Sequence, residues 1–252
     1  MKKLIPFIFI LFCFPSYAMN MAIMGGGVPA SCTTMGNMTV WEKLETVPST
    51  GSWTKVDTAS KLSASASGEL ATLKCPNGTA DDGSNGMKYT SGTTSEGKIY
   101  YTFGSAQSEL SFGFWYKTGT VTSWNTGPYI ARICATANCS LGYSDMFLDT
   151  RSMGDNSRRL LENPSTTYID MTGKDNTWVW ITGHWKQNDT SSWAVYDSTG
   201  TQIGTTQTYT GYNNTAASIT FGPTGTSSES LTSDIYWDDI VILTGGTTLL
   251  GP

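Results

Sequence analysis

The stretch that best indicates the fold is residues 233–243, which read SDIYWDDIVIL. Large apolar residues occupy both alternating faces, which is typical of a β-strand that is buried on both sides. Asp238 and Asp239 interrupt this pattern, and they would point to opposite faces of a regular strand. A buried carboxylate is stable only when it is hydrogen-bonded, paired with a cation or bound to a metal ion. The pattern therefore predicts a specific partner for at least one of the two aspartates.

Two further stretches show the two-residue period of a strand with one buried face. In residues 110–117 (LSFGFWYK), the even-numbered positions are large and apolar, and Trp115 lies on the opposite face. In residues 177–186 (TWVWITGHWK), Val179 and Ile181 share a face that is opposite to Trp180. Each stretch is predicted to place one face in a hydrophobic core.

The rest of the chain shows the same two-residue period in shorter runs. About fifteen candidate strands alternate with turn sequences such as Asn77-Gly78 and Thr199-Gly200, and no segment has a helical period. Charged residues make up only 14% of the chain. These features predict an all-β protein, built as a two-sheet antiparallel β-sandwich.

The first eighteen residues have the three parts of a secretory signal peptide. Lys2 and Lys3 form a basic start, residues 4–14 form an apolar run, and Ser16-Tyr17-Ala18 supplies a cleavage site. The run is shorter than the ~20 residues that a membrane span needs. We therefore expect a secreted protein that is extracellular or at the cell surface. Loss of the two lysines changes the net charge from −5 to −7, which opposes binding to nucleic acid or anionic lipid.

After cleavage, the chain is predicted to have two parts. Residues 19–38 are rich in Met and Gly without any period, so they are predicted to be a flexible arm. Residues 39–252 are predicted to form a single sandwich domain. The apolar arm could add as a strand to the sheet edge of a neighbouring molecule, which would allow self-association.

Four cysteines remain after cleavage, and an even number in an exported chain indicates two disulfides. Cys134 and Cys139 are close in sequence, so a local bond between them is the simplest pairing. That pairing would leave Cys32 to bond Cys75. Metal binding by the cysteines is less favoured, because the chain has no Cys-x-x-Cys pair and only one histidine.

Three stretches resemble, in order, the strands of a known group of sandwiches. Residues 39–54 (TVWEKLETVPSTGSWT) resemble the Phe-Glu and Gly-Trp opening of MAM domains and of many jelly-roll carbohydrate-binding modules. Residues 108–119 resemble their central Leu-x-Phe-x-Tyr strand, and residues 233–243 resemble their closing Ile-x-Ile-Asp-Asp-Ile strand. Trp41 replaces the usual Phe, and the cysteines do not match MAM domains. The resemblance is thus to the wider concanavalin A-like lectin/glucanase superfamily, which implies a jelly roll.

This resemblance implies a structural calcium site. In such jelly rolls the first and last strands are neighbours, and some members bind calcium there through an early glutamate and a late aspartate. Glu42 and Asp238 are therefore expected to bind one calcium ion, with Asp239 nearby. Calcium accepts several oxygen ligands in irregular geometry. The alternative is that the aspartates accept hydrogen bonds from loop backbone or from Lys43.

Catalytic motifs are not evident. Retaining glycosidases need two carboxylates ~5 Å apart, but the Glu-x-Asp-x-x-Glu pattern of the glucanases is absent. A polysaccharide lyase usually needs a Tyr or His base beside an Arg or Asn, and the strand pattern offers only His184 with Arg132. A hydrolase or lyase is therefore less favoured than a non-catalytic protein.

Lectin-like binding of carbohydrate, or of another extracellular surface ligand, is the function that we predict. Aromatic rings stack on the apolar faces of sugar rings, while polar side chains bind the hydroxyls. Trp115, Trp180 and Tyr129 are the candidates, because each lies opposite an expected core face or on a nearby strand. The alternative for each ring is burial under a loop. The alternative function is a structural subunit of a surface layer, filament or adhesin.

Overall fold

The computed structural model describes most of the chain after the predicted arm. The described residues are 40–66, 85–92, 96–119, 129–137, 144–152, 158–163, 168–223 and 233–251. The predicted signal peptide and arm lie outside them, as do Cys32, Cys75 and Cys139. No helix in the described part of the chain is long and apolar enough to span a membrane.

The elements that lie wholly within these ranges are β-strands, as the sequence predicts. The strands are β1 (Val40–Glu42), β2 (Trp53–Asp57), β3 (Leu62–Ser65), β4 (Gly86–Tyr89), β5 (Gly97–Gln107), β6 (Glu109–Thr118), β7 (Tyr129–Cys134), β8 (Ser144–Ser152), β9 (Arg158–Asn163), β10 (Tyr168–Asp170), β11 (Val179–Lys186), β12 (Thr190–Asp197), β13 (Gln202–Thr210), β14 (Ala216–Phe221) and β15 (Ile235–Thr244).

The strands form two antiparallel sheets that pack as a sandwich, which confirms the predicted fold class. The eight-stranded sheet has the order β13-β12-β11-β6-β15-β4-β3, and β1 also pairs with β15. The seven-stranded sheet has the order β10-β9-β8-β7-β14-β5-β2. The β1–β15 pairing joins the first and last described strands, as expected from the resemblance.

The core lies between the two sheets and follows the predicted alternation. The even-numbered residues from Leu110 to Tyr116 in β6 are at most 1% exposed, and Ile181 of β11 is fully buried. From the seven-stranded sheet, Ile219 and Phe221 pack into the same cluster. Burial of each such side chain stabilises the fold by about 1.5–3 kcal/mol. The core therefore fixes which face of each strand is turned outward.

A β-bulge explains the adjacent aspartates of β15. Asp238 is opposite Trp115, but Val241 is opposite Gly113, so β15 has one extra residue at this point. Asp239 has a φ of 45°, a left-handed conformation that aspartate adopts more readily than most residues. The Asp238 Oδ1 accepts a hydrogen bond of 3.0 Å from the Asp239 backbone N–H. The backbone amide of the next residue in the strand thus stabilises the buried Asp238.

This geometry predicts a specific sensitivity at Asp239. Replacement by Val should lower the free energy of unfolding by about 1–2 kcal/mol, because a β-branched residue is strained in the left-handed conformation. Replacement by Asn should have a much smaller effect, since Asn tolerates this conformation. Urea unfolding of both variants measures the difference. Equal stability of the two variants would contradict the bulge.

Candidate functional site

The predicted aromatic residues Trp115 and Trp180 lie on the outer face of the eight-stranded sheet, as expected. They are directly opposite each other in β6 and β11, with ring centroids 5.5 Å apart. Together with Val241 they form a small apolar cluster that is separate from the main core. Trp115 is only 2% exposed and Trp180 only 3% exposed, so neither ring offers a face to a ligand.

Residues 245–250, which we call the strap, explain this burial. The strap crosses the outer face, where Leu250 packs against the tryptophan cluster. The Trp180 Nε1–H donates a hydrogen bond of 2.9 Å to the Leu250 carbonyl, and the Leu250 N–H donates one of 2.9 Å to Thr182 Oγ1. The Ser111 hydroxyl donates to the Thr248 carbonyl at 2.5 Å. In this structure the strap covers both Trp115 and Trp180, and their role as sugar platforms stays a prediction.

A second group of aromatic residues on the same face is accessible. Lys88, Tyr236, Lys117 and Trp178 follow one another across four neighbouring chain segments, and we call them the aromatic–lysine row. Tyr236 of β15 is opposite Lys88 of β4 on one side and Lys117 of β6 on the other. Trp178 directly precedes β11, whose first residue is opposite Tyr116. All four side chains are partly exposed.

The row is held together by cation–π contacts. The Lys117 Nζ lies 4.6 Å from the ring centroid of Trp178 and 4.6 Å from that of Tyr236. The Lys88 Nζ lies 5.9 Å from the Tyr236 ring. Such contacts are worth about 0.5–1 kcal/mol at exposed sites and more where water is excluded. The contacts thus order two aromatic rings and two ammonium groups along one line.

The two ammonium groups of the row have different electrostatic environments. The Lys88 Nζ lies 2.7 Å from Asp234, and this hydrogen bond raises the pKa of Lys88. Burial alone would raise the pKa of Asp234, but hydrogen bonds from Lys88 and Ser91 hold it below its ordinary value. The pKa of Lys117, in contrast, is lowered by burial, which the charge of Asp238 offsets only in part.

Tyr129, the third predicted sugar platform, lies in β7 of the other sheet. Its side chain is partly exposed, and its ring centroid is 5.1 Å from the guanidinium carbon of Arg132. Arg132 is 3% exposed, and burial lowers its pKa against the opposing effects of Tyr129 and Glu96. The role of Tyr129 in ligand binding stays a prediction, and the Arg132 guanidinium lies against its ring.

The pairing considered for a lyase does not form. His184 lies in β11 of the eight-stranded sheet, whereas Arg132 lies in β7 of the seven-stranded sheet. The His184 Nε2 instead contacts Glu109 Oε1 at 2.9 Å. Glu109 also lies 3.6 Å from Lys186. The histidine therefore belongs to a polar network with Glu109 and Lys186 on the outer face, apart from the buried arginine.

The register separates the two carboxylates that were expected to bind calcium together. Glu42 is opposite Ile240, whose side chain is in the core, whereas Asp238 is opposite Trp115 on the outer face. Burial raises the pKa of Glu42, and the Leu44 N–H partly opposes this effect. No cluster of three His, Cys, Asp or Glu side chains suited to a metal occurs among the described residues. The register thus places Glu42 and Asp238 on different faces of the sheet, and a calcium site that joins them stays a prediction.

Cys134 is the only cysteine within the described ranges. It is fully buried at the end of β7. The other predicted disulfide cysteines lie outside these ranges, so the pairing of Cys134 with Cys139 stays a prediction.

The two-residue period of the sequence also places the residues of the row on this face. Trp178 has the same alternation as Trp180, two residues earlier in the strand. Lys117 follows Trp115 by two residues, and Tyr236 precedes Asp238 by two. The alternation therefore indicates the outer face, but the partly exposed residues lie two positions along each strand from Trp180, Trp115 and Asp238.

Comparison with known proteins yields distant similarities in fold. No protein-family model and no curated protein matches the sequence. Among solved structures, the chain is similar to the Lotus tetragonolobus seed lectin, at 10% identity and a TM-score of 0.48, over 84% of this chain and 100% of the lectin. It is similar to the endo-beta-1,4-glucuronan lyase from the fungus Trichoderma reesei, at 11% identity and a TM-score of 0.45, over 82% of this chain and 95% of the lyase.

A third solved structure is similar over only part of its length. The binding domain of botulinum neurotoxin serotype D shares 14% identity with this chain, with a TM-score of 0.44. The similarity covers 82% of this chain but only 48% of that domain. Identities and TM-scores this low carry no information about the ligand or activity of this chain.

Proposed function

We propose that this protein is exported and binds carbohydrate without catalysis, through the aromatic–lysine row. The observation that carries the proposal is the presence of two partly exposed rings, Trp178 and Tyr236, with the Lys117 ammonium 4.6 Å from each. Aromatic rings stack on the C–H faces of sugars, and ammonium groups donate hydrogen bonds to sugar oxygens. The row supplies both groups on one sheet face.

The spacing of the row suits an oligosaccharide better than a single sugar. Tyr236 and Trp178 lie on the two chain segments that flank β6. The Lys117 Nζ lies 4.6 Å from both ring centroids, so the two centroids are at most about 9 Å apart. A ligand that contacts both rings must span this distance, with Lys117 beneath its middle. The ligand is therefore expected to run across the strands.

The acidic residues beside the row support binding over catalysis. Asp234 is hydrogen-bonded to Lys88 and to the Ser91 backbone. Asp238 is fully buried and accepts a hydrogen bond from the Asp239 backbone. A glycosidase needs one carboxyl group as acid and a second as nucleophile or base. Neither aspartate is placed for such a role, so the row is assigned to recognition.

A glycan array on the purified chain tests the proposal. The unmodified protein is expected to bind one group of related glycans, and the double variant Trp178→Ala, Tyr236→Ala is expected to lose that binding. Tyr168→Ala is the matched control, because Tyr168 is 44% exposed on β10 of the other sheet. Thermal unfolding checks that the variants are folded. Glycan binding that survives in the folded double variant would refute the role of the row.

A further inference from the structure

The residues under the strap form a second line of aromatic rings, which we call the covered row. Trp115 and Trp180 are opposite each other in β6 and β11, and Tyr196 of β12 is opposite Trp180 on its other side. Tyr196 and Trp178 both pack against the tryptophan cluster. The covered row therefore runs beside the aromatic–lysine row, two residues or roughly 7 Å further along the strands, and contacts it through Trp178.

The strap bonds to the polar groups of the covered row through its backbone. The Trp180 indole N–H and the Ser111 hydroxyl donate to strap carbonyls, and Thr182 Oγ1 accepts from the Leu250 N–H. Leu250 also packs against the tryptophans. A sugar hydroxyl both donates and accepts hydrogen bonds, and the C–H face of a sugar ring packs on indole as Leu250 does. A glycan thus offers the same kinds of contact as the strap.

The strap has the features of a segment that opens locally. Gly245, Thr247 and Thr248 are exposed, and Leu249 and Leu250 are only partly buried. Segments with little buried apolar surface open at a smaller free-energy cost than the whole domain. The strap can therefore leave the covered row while both sheets stay folded.

Gly246 determines how closely the strap approaches the sheet. A Cβ atom at this position would lie 2.7 Å from Ser111 Oγ and 2.8 Å from Ser111 Cβ. Both distances are too short for a side-chain contact, so either the strap or β6 would have to move. Because β6 is a central strand of the sheet, we expect the strap to be the part that moves.

We propose that the strap is a displaceable cover over a second glycan-binding surface, made of Trp115, Trp180 and Tyr196 with the hydroxyls of Ser111 and Thr182. A glycan broad enough to contact both rows takes the place of the strap. This inference rests on the proposed function, since it adds a regulated extension to the same site. Binding to the open form alone reduces the apparent affinity by the fraction of open molecules, so a variant that opens the strap should bind more tightly.

Hydrogen exchange followed by NMR tests the opening. The Trp180 indole N–H is bonded to a strap carbonyl, and the Trp237 indole N–H is the matched control because it is bonded to the Ile130 carbonyl in the core. The Trp180 N–H should exchange at least about tenfold faster. Low urea should accelerate only the Trp237 N–H, because a local opening exposes little surface. Equal exchange rates with equal urea dependence would overturn the cover.

Two variants connect the opening to binding. Gly246→Ala displaces the strap by its added Cβ, and Leu250→Ala removes the packing of the strap on the tryptophans. Each should accelerate Trp180 exchange and bind at least one glycan of the array about tenfold more tightly than the unmodified protein does. Gly104→Ala is the control, since a Cβ at Gly104 meets no atom within 4 Å, and it should change neither property. Urea unfolding checks that each variant is folded.

The outcomes separate this inference from the proposed function. Unchanged Trp180 exchange in both folded variants would overturn the displaceable cover. Faster exchange with an unchanged glycan array would overturn the second surface and leave the proposed function intact. Failure of every form of the protein to bind any glycan would overturn the proposed function itself, and the second surface with it.

Discussion

Replacement of Trp115 by Ala is expected to lower the free energy of unfolding by about 3–5 kcal/mol, the usual cost of removing a large buried aromatic side chain. Trp115 is 2% exposed, and it packs against Trp180 and Val241 beneath the strap. The small residue would leave a cavity that the strap cannot fill without losing its hydrogen bonds to Trp180 and Thr182. A domain has only about 5–15 kcal/mol of stability in total, so the loss should be evident as a lower Tm.

Urea or thermal unfolding measures this effect, and Trp178→Ala is the matched comparison on the same face. Trp178 is partly exposed, so its removal should destabilise the protein by a smaller amount. Trp115→Ala is thus expected to affect mainly stability, and Trp178→Ala is expected to affect mainly binding. If Trp115→Ala left the unfolding curve unchanged and abolished glycan binding, the assignment of the two tryptophans would have to be reversed.

The second large effect is expected at the two rings of the row. Single replacement of Trp178 or Tyr236 by Ala should weaken glycan binding at least ~30-fold, because residues that dominate a binding site typically contribute about 2 kcal/mol or more. Tyr236→Phe retains the ring and should keep most of the affinity. Isothermal titration with the best glycan from the array measures these differences. If Tyr236→Phe were as weak as Tyr236→Ala, hydrogen bonding by the hydroxyl would account for the binding better than stacking.

The two-residue period of the sequence predicts most of the fold, because core burial dictates that period. The inward residues of β6 and β11 were assigned correctly for this reason. Strand β3, which reads LSAS, is hard to predict from the sequence, since it has only one large apolar residue to reveal the alternation. The bulge at Asp239 could not be predicted either, because it depends on the pairing of β15 with β6.

The candidate site was predicted less well for a different physical reason. Alternation identifies which face a residue occupies, but it cannot show what covers that face. Trp180 and Trp178 lie on the same face of the strand, yet only Trp180 is beneath the strap. The strap residue that it contacts, Leu250, comes 70 residues later in the chain. The contact of Lys117 with both Trp178 and Tyr236 likewise requires the order β11-β6-β15, which joins distant parts of the sequence. Such long-range neighbours are set by tertiary packing.

The most direct test of the central claim is an NMR titration that follows the indole N–H signals of the nine tryptophans. Each indole reports on its own surroundings, so the signals show where a glycan binds. On addition of the best array glycan, the Trp178 signal should shift most, and the signals of buried Trp185, Trp193 and Trp237 should move little. The shift should disappear in Tyr236→Ala. A saturating glycan that leaves the Trp178 signal unmoved would contradict the assignment of the aromatic–lysine row as the binding site.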